Sequence, residues 1–90
     1  MLVQGCDVPV TTRNCKPGIQ VFRNKDWEWG TEDYKDGHPG YGFVKQCLEF
    51  EWANVQWNGG VLGRARIGSS GKHDLCVVSR QTEDIVSGLR

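Results

Sequence analysis

Four cysteines, two histidines and one glycine-rich stretch are the parts of this 90-residue chain that could do covalent or metal chemistry. A zinc site draws two ligands from one tight turn, which imposes short spacings such as C-x-x-C. Cys6, Cys15, Cys47 and Cys76 are separated by long, uneven gaps, and adding His38 and His73 completes no ligand set. No metal and no cofactor are therefore expected. The stretch GSSGKHD (68–74) lacks the G-x-x-x-x-G-K-[ST] spacing of a phosphate loop, and no helix is expected after it. His38 has no serine or cysteine beside it in a nucleophile motif, so no catalytic residue is assigned. The even cysteine count admits a disulfide framework. The N-terminal MLVQGCDVPV, however, has no basic region followed by an apolar one, as a secretory leader would. The expectation is reduced cysteines: Cys47 and Cys76 as small buried hydrophobes, Cys6 and Cys15 as free thiols in a flank.

The chemistry that remains is recognition by aromatic and charged side chains. NKDWEWGTED (24–33) places Trp27 and Trp29 two apart in the most acidic, turn-prone part of the chain. If this is a long loop, one indole packs inward and the other lies on the surface as a platform. A buried indole N–H needs an acceptor, and Asp26, Asp33 or a carbonyl is near enough to serve. Interface hot spots are rich in Trp, Tyr and Arg. On that ground Trp27, Trp29 and Asp33 are candidate binding residues. Tyr34, His38 and Tyr41 join them from DYKDGHPGYG (33–42), read as an adaptable rim. Trp52 and Arg66 complete the set. The bland alternative is that the tryptophans are core anchors and that Arg23–Asp33 and Arg66–Asp74 are structural ion pairs.

These residues must be positioned by strands. GIQVFR (18–23), YGFVKQCLEF (41–50), EWANVQW (51–57), LGRARIG (62–68) and DLCVV (74–78) are β-prone runs. In the third, Ala53, Val55 and Trp57 face one way, and Trp52, Asn54 and Gln56 the other. Trp57 is expected in the core and Trp52 on the opposite face. Turn signals separate the runs at DGHPG (36–40), NGG (58–60) and GSSGK (68–72). Asn58-Gly59 predicts a hairpin whose tight primed turn needs positive φ at both residues. Five short strands with long loops predict an all-β fold, a small closed or nearly closed barrel. Residues 1–16 are expected to form a flexible N-terminal flank, with one extended piece near 8–12. The domain is expected over 17–79, and residues 80–90 form a C-terminal flank that either makes a short helix near 83–86 or stays loose.

Formal net charge is zero, which gives no basic footprint for nucleic acid or an anionic membrane. No apolar run approaches the roughly 20 residues of a membrane span.

The pattern G-I-Q-V-F-R-N-K-D-W-E-W-G-T-E-D, then G-H-P-G-Y-G-F-V, resembles the opening half of the mind bomb/Herc-type domain. Gly18, Val21, Arg23, Asp26, Trp27, Trp29, Gly30 and Asp33 match that family's motif. VQWNGGVLGRARIGSSGKHDL resembles its closing half through Val55, Trp57, Gly60, Arg66, Gly68, Gly71, Lys72, Asp74 and Leu75. The departures include Ala65 and His73 where the family has tyrosines, Asn58 for Asp, Glu32 for Gln, Asn24 for Gly and Gln20 for Arg. Loss of two aromatics is expected to thin a groove built on them.

The resemblance implies an SH3-like barrel of the kind carried by RING and HECT ubiquitin ligases. In mind bomb ligases such domains bind short segments of Notch-ligand cytoplasmic tails and do no ubiquitin transfer. For this chain it implies a non-catalytic, substrate-recruiting peptide-binding module of a cytoplasmic or nuclear ligase, monomeric when isolated. The competing class is an architectural domain that packs on its ligase neighbours without a ligand. A nucleic-acid-binding barrel is disfavoured by the charge balance, and an enzyme by the missing catalytic groups.

Overall fold

The computed structural model describes residues 6–78. It is all-β, with eight strands and one short 3₁₀ turn at Ser69–Gly71. The strands are β1 (Cys6–Pro9), β2 (Gln20–Arg23), β3 (Tyr34–Lys35), β4 (His38–Pro39), β5 (Tyr41–Leu48), β6 (Trp52–Trp57), β7 (Leu62–Arg66) and β8 (Leu75–Val78). Six of them form one antiparallel sheet in the order β1-β8-β2-β5-β6-β7, and β3 and β4 form a separate hairpin. All five strand runs expected from sequence are present.

The sheet does not close into the expected barrel. β8 has β1 on one side and β2 on the other, so both of its edges are occupied. β7 therefore meets only the residues that precede β8, through an Ile67–His73 bridge and a hydrogen bond from the Asp74 amide to the Arg66 carbonyl at 2.9 Å. The N-terminal stretch also differs from expectation. β1 starts at Cys6, and Val10 is completely buried, its amide donating to the Leu75 carbonyl at 3.0 Å. The expected helix near 83–86 lies outside the described residues.

Alternation on β6 sets the core. Ala53, Val55 and Trp57 turn inward to meet Val10, Val21, Val44, Ala65, Ile67 and Leu75. Trp57 is its largest side chain. Gly42 lies opposite Trp57 in the β5–β6 ladder, where a Cβ would come within 2.7 Å of both the Trp57 ring and Val55. Glycine in β5 thus makes room for an indole. Ala65 packs opposite Ala53 and is 1% exposed, so the loss of that aromatic falls in the core and not in a surface groove.

The turns follow different rules from those read off the sequence. Asp36-Gly37 has φ of 57° and 85°, the primed-turn geometry, and joins β3 to β4. Asn58-Gly59 does lie in a hairpin, but its positive φ falls on Gly60 (110°), whose amide donates to the Trp57 carbonyl at 2.9 Å. Gly59 is required for space instead, since a Cβ there would run into the Tyr34 carbonyl oxygen.

The expectation of reduced cysteines is overturned, and Cys47 is exposed where burial was expected, whereas Cys76 is buried as expected. Cys15 and Cys47 form a disulfide, with Cα atoms 6.3 Å apart and a sequence separation of 32. Cys76 is disulfide-bonded too. β5 carries a bulge between Val44 and Gln46, which puts Cys47 opposite Ala53 on the inner-face side of the sheet. There it meets Cys15, which packs against the core.

Candidate functional site

The loop between β2 and β3 carries both tryptophans, and two buried carboxylates fix it. Asp74 has no exposed side-chain surface. It accepts hydrogen bonds from Arg66 at its amide (2.7 Å), Nε (2.9 Å) and Nη2 (2.8 Å). A fourth comes from the Trp29 indole N–H at 2.8 Å. Asp33, equally buried, accepts two bonds of 2.8 Å from the Arg23 guanidinium. Asp26 accepts from the His73 amide at 2.8 Å, while its carbonyl accepts from Arg66. The Asn24 side chain donates to the His73 carbonyl, and its amide to that of Asp74. Each such charge-assisted bond in a dry site is stronger than a neutral one. Together they clamp 24–33 onto the approach to β8.

The electrostatic consequences are consistent. Hydrogen bonding to Asp33 and Asp74 raises the pKa of Arg23 and Arg66 respectively, with burial partly opposing. The His73 amide, and after it nearby Lys72, His73 and Lys25, hold the Asp26 carboxyl below its ordinary value against a smaller desolvation effect.

The clamp sends the two indoles to opposite sides. Trp27 packs edge-on against Trp57, with ring centroids 5.3 Å apart, and its N–H donates to the Gly30 carbonyl. Trp29 leans over the outer face of the sheet, 6.2 Å from Trp52. Arg66 lies 5.1 Å from the Trp29 ring and Arg64 lies 5.9 Å from that of Trp52. The order Arg64, Trp52, Trp29, Arg66 makes a half-exposed ladder of two stacked rings with a cation at each end. It stands on the β6–β7 pairs Asn54–Arg64 and Trp52–Arg66.

The expected site residues thus separate. Trp29, Trp52 and Arg66 come together. Trp27, Asp33 and Tyr34 gather instead around Arg23, which stacks 5.4 Å from Trp27 and 5.7 Å from Tyr34. Tyr41 pairs edge-on with Phe43 on β5, and His38 is exposed on β4.

Sequence reasoning missed a second feature beside the ladder. An open groove of about 620 Å³ is lined by Gln46, Cys47, Leu48, Glu49, Phe50, Trp52 and Arg64. Phe50 and Glu51 both have left-handed backbone, φ 61° and 65°, and Phe50 is 83% exposed. A bulky residue held there is strained. No carboxylate pairs with Arg64 among the described residues. The arrangement offers flat aromatic area, one uncommitted guanidinium and an exposed phenyl ring.

Comparison with known proteins gives a consistent answer. The Mib_herc2 family model matches residues 18–79. The E3 ubiquitin-protein ligase HERC2 of Mus musculus is 39% identical over 64 residues, which is 70% of this chain and 1% of that protein. The E3 ubiquitin-protein ligase MIB2 of Gallus gallus is 34% identical over 74 residues, 77% of this chain and 8% of that protein. The E3 ubiquitin-protein ligase hecd-1 of Caenorhabditis elegans is 34% identical over 56 residues, 62% of this chain and 2% of that protein. The chain therefore spans only a small fraction of the curated relatives it matches.

Proposed function

The chain belongs to the Mib_herc2 domain family, and on that premise we propose that it is a non-catalytic module that captures a short extended segment of a partner protein. The observation that carries this reading is the Arg64–Trp52–Trp29–Arg66 ladder beside the Phe50 groove. Flat rings supply apolar area at little conformational cost, and Arg64 orients a carbonyl or carboxylate of the ligand. Arg66 and Asp33 hold the platform rigid instead of meeting the ligand. The outer edge of β7 supplies main-chain hydrogen bonds to an added strand. Because the relatives are E3 ubiquitin-protein ligases, the parent is proposed to be such a multidomain ligase. The captured segment would then belong to a substrate. So small a surface binds modestly, and neighbouring domains raise the avidity.

An architectural role is the second reading. It is favoured by Asp33, Asp74, Arg23 and Arg66 being satisfied inside the domain. An NMR titration of the labelled chain with a pool of extended peptides separates the two. Recruitment predicts shifts at the Trp29 and Trp52 indoles and the Arg64 amide, abolished in Trp52→Ala. A silent spectrum from the folded chain, or shifts confined to other surfaces, overturns the recruitment reading.

A further inference from the structure

The family match begins at residue 18, yet the folded unit does not. β1 is the outermost strand beside β8, and Val10 fills a core position. Residues 11–15 then form a tight knot. The Thr11 amide donates to Asn14 Oδ1, the Asn14 side chain to the Pro9 carbonyl, and the Cys15 amide to the Thr11 carbonyl. From this knot Cys15 is bonded covalently to Cys47. One half of the disulfide therefore lies outside the matched family region and the other half inside it. Cys76, on β8, is also oxidised, so no described cysteine is a free thiol.

Two physical facts make this informative. A domain of this size buries a modest core, and such domains often recruit disulfides to hold it. Disulfides form and persist in oxidising compartments and are rare where thiol reductants are abundant. We propose that this chain is a disulfide-stapled version of its fold, matured in an oxidising compartment, in which the Cys15–Cys47 bond fastens an additional N-terminal arm to β5. The bond forms by exchange. Each thiol gives up one proton and one electron, and the pair of electrons reduces a donor disulfide, which leaves as two thiols. Cys47 also lines the groove beside Trp52, so the staple forms one wall of the binding surface. The segment captured there is then a luminal or extracellular one. This inference stands on the cysteines alone. The cytosolic ligase parent proposed above requires reduced cysteines, so the thiol state decides between that parent and this proposal, while the peptide titration tests capture by itself.

The test expresses the full chain twice in eukaryotic cells, with a secretory leader and without one. Both products are alkylated under denaturing, non-reducing conditions, and both are melted with and without reductant. In the secreted product no cysteine is expected to label until reductant is added, after which all four label. Peptide mapping is expected to link Cys15 to Cys47. Reductant is expected to lower the melting temperature by at least about 10 °C. Cys15→Ala with Cys47→Ala is expected to reproduce part of that loss and to speed amide exchange at residues 11–15. A secreted product with alkylatable Cys15 and Cys47 overturns the proposal. So does a cytosolic product with four free thiols that melts at the same temperature as the secreted one.

Discussion

Replacing Asp74 with alanine tests the clamp that orients both tryptophans. The side chain is fully buried and accepts four hydrogen bonds. Its removal strands the Trp29 N–H, the Arg66 amide and an Arg66 side chain that is only 12% exposed. The nearest remaining carboxylate is Glu28, 3.6 Å from Arg66 and itself 59% exposed. A surface pair of that kind recovers little, about 0–1 kcal/mol. Breaking a buried pair from one side costs about 3–5 kcal/mol. In a domain this small each kcal/mol moves the midpoint by about 4–8 °C, so a fall of roughly 12–40 °C is expected. Urea titration followed by circular dichroism and by tryptophan emission measures it. Arg66→Met combined with Asp74→Leu removes both charges and should recover most of the loss, because no ion is left unpaired. An Asp74→Ala loss below about 1 kcal/mol would show that water reaches the site and that the clamp argument is wrong.

Four further outcomes are expected. Gly42→Ala forces a methyl against Trp57 and Val55 and should cost about 1–3 kcal/mol in denaturant titration; a neutral result would mean that β5 shifts freely. Trp27→Ala removes the indole that packs on Trp57 and should cost about 2–4 kcal/mol, near the low end for a buried aromatic because Trp27 is partly exposed. Asp26 has a depressed pKa, so its contribution is complete above the ordinary aspartate value of about 4 and is lost as pH falls through its lower folded-state value. Melts of Asp26→Asn and wild type should therefore differ at pH 7 and converge towards pH 2; a constant gap would refute the His73 latch. Phe50→Asn with Glu51→Gly suits the left-handed turn and should stabilise by about 1 kcal/mol while weakening peptide capture, read by melts and by the same NMR titration.

Strand positions and the inner face of β6 were legible because period-two alternation is a local signal, and it survives in Ala53, Val55 and Trp57. Both ion pairs were legible as possibilities, since opposite charges recur near the loop ends. The Phe50 hairpin was not, because Glu49, Phe50 and Glu51 include none of the residues that announce a turn. The disulfide was hidden by the bulge after Val44: simple alternation puts Val44 and Cys47 on opposite faces, and one extra residue reverses that. Arg64 was overlooked because its value lies in what it lacks, a carboxylate partner, and that depends on distant parts of the chain. Barrel closure failed as an expectation because it depends on which strand claims the second edge of β8, and β1 claims it from a segment that read as a flank.

The β1–β8 pair also brings the two ends of the described fold together. Cys6 and Val78 pair across that ladder, so the two ends of the described fold lie within about 5 Å of each other. A unit with adjacent ends is one that can be inserted into a surface loop of another domain without prising that loop open. The Cys15–Cys47 crosslink ties the entering arm to β5 as well, so pulling on those ends loads a covalent bond before it reaches the aromatic ladder.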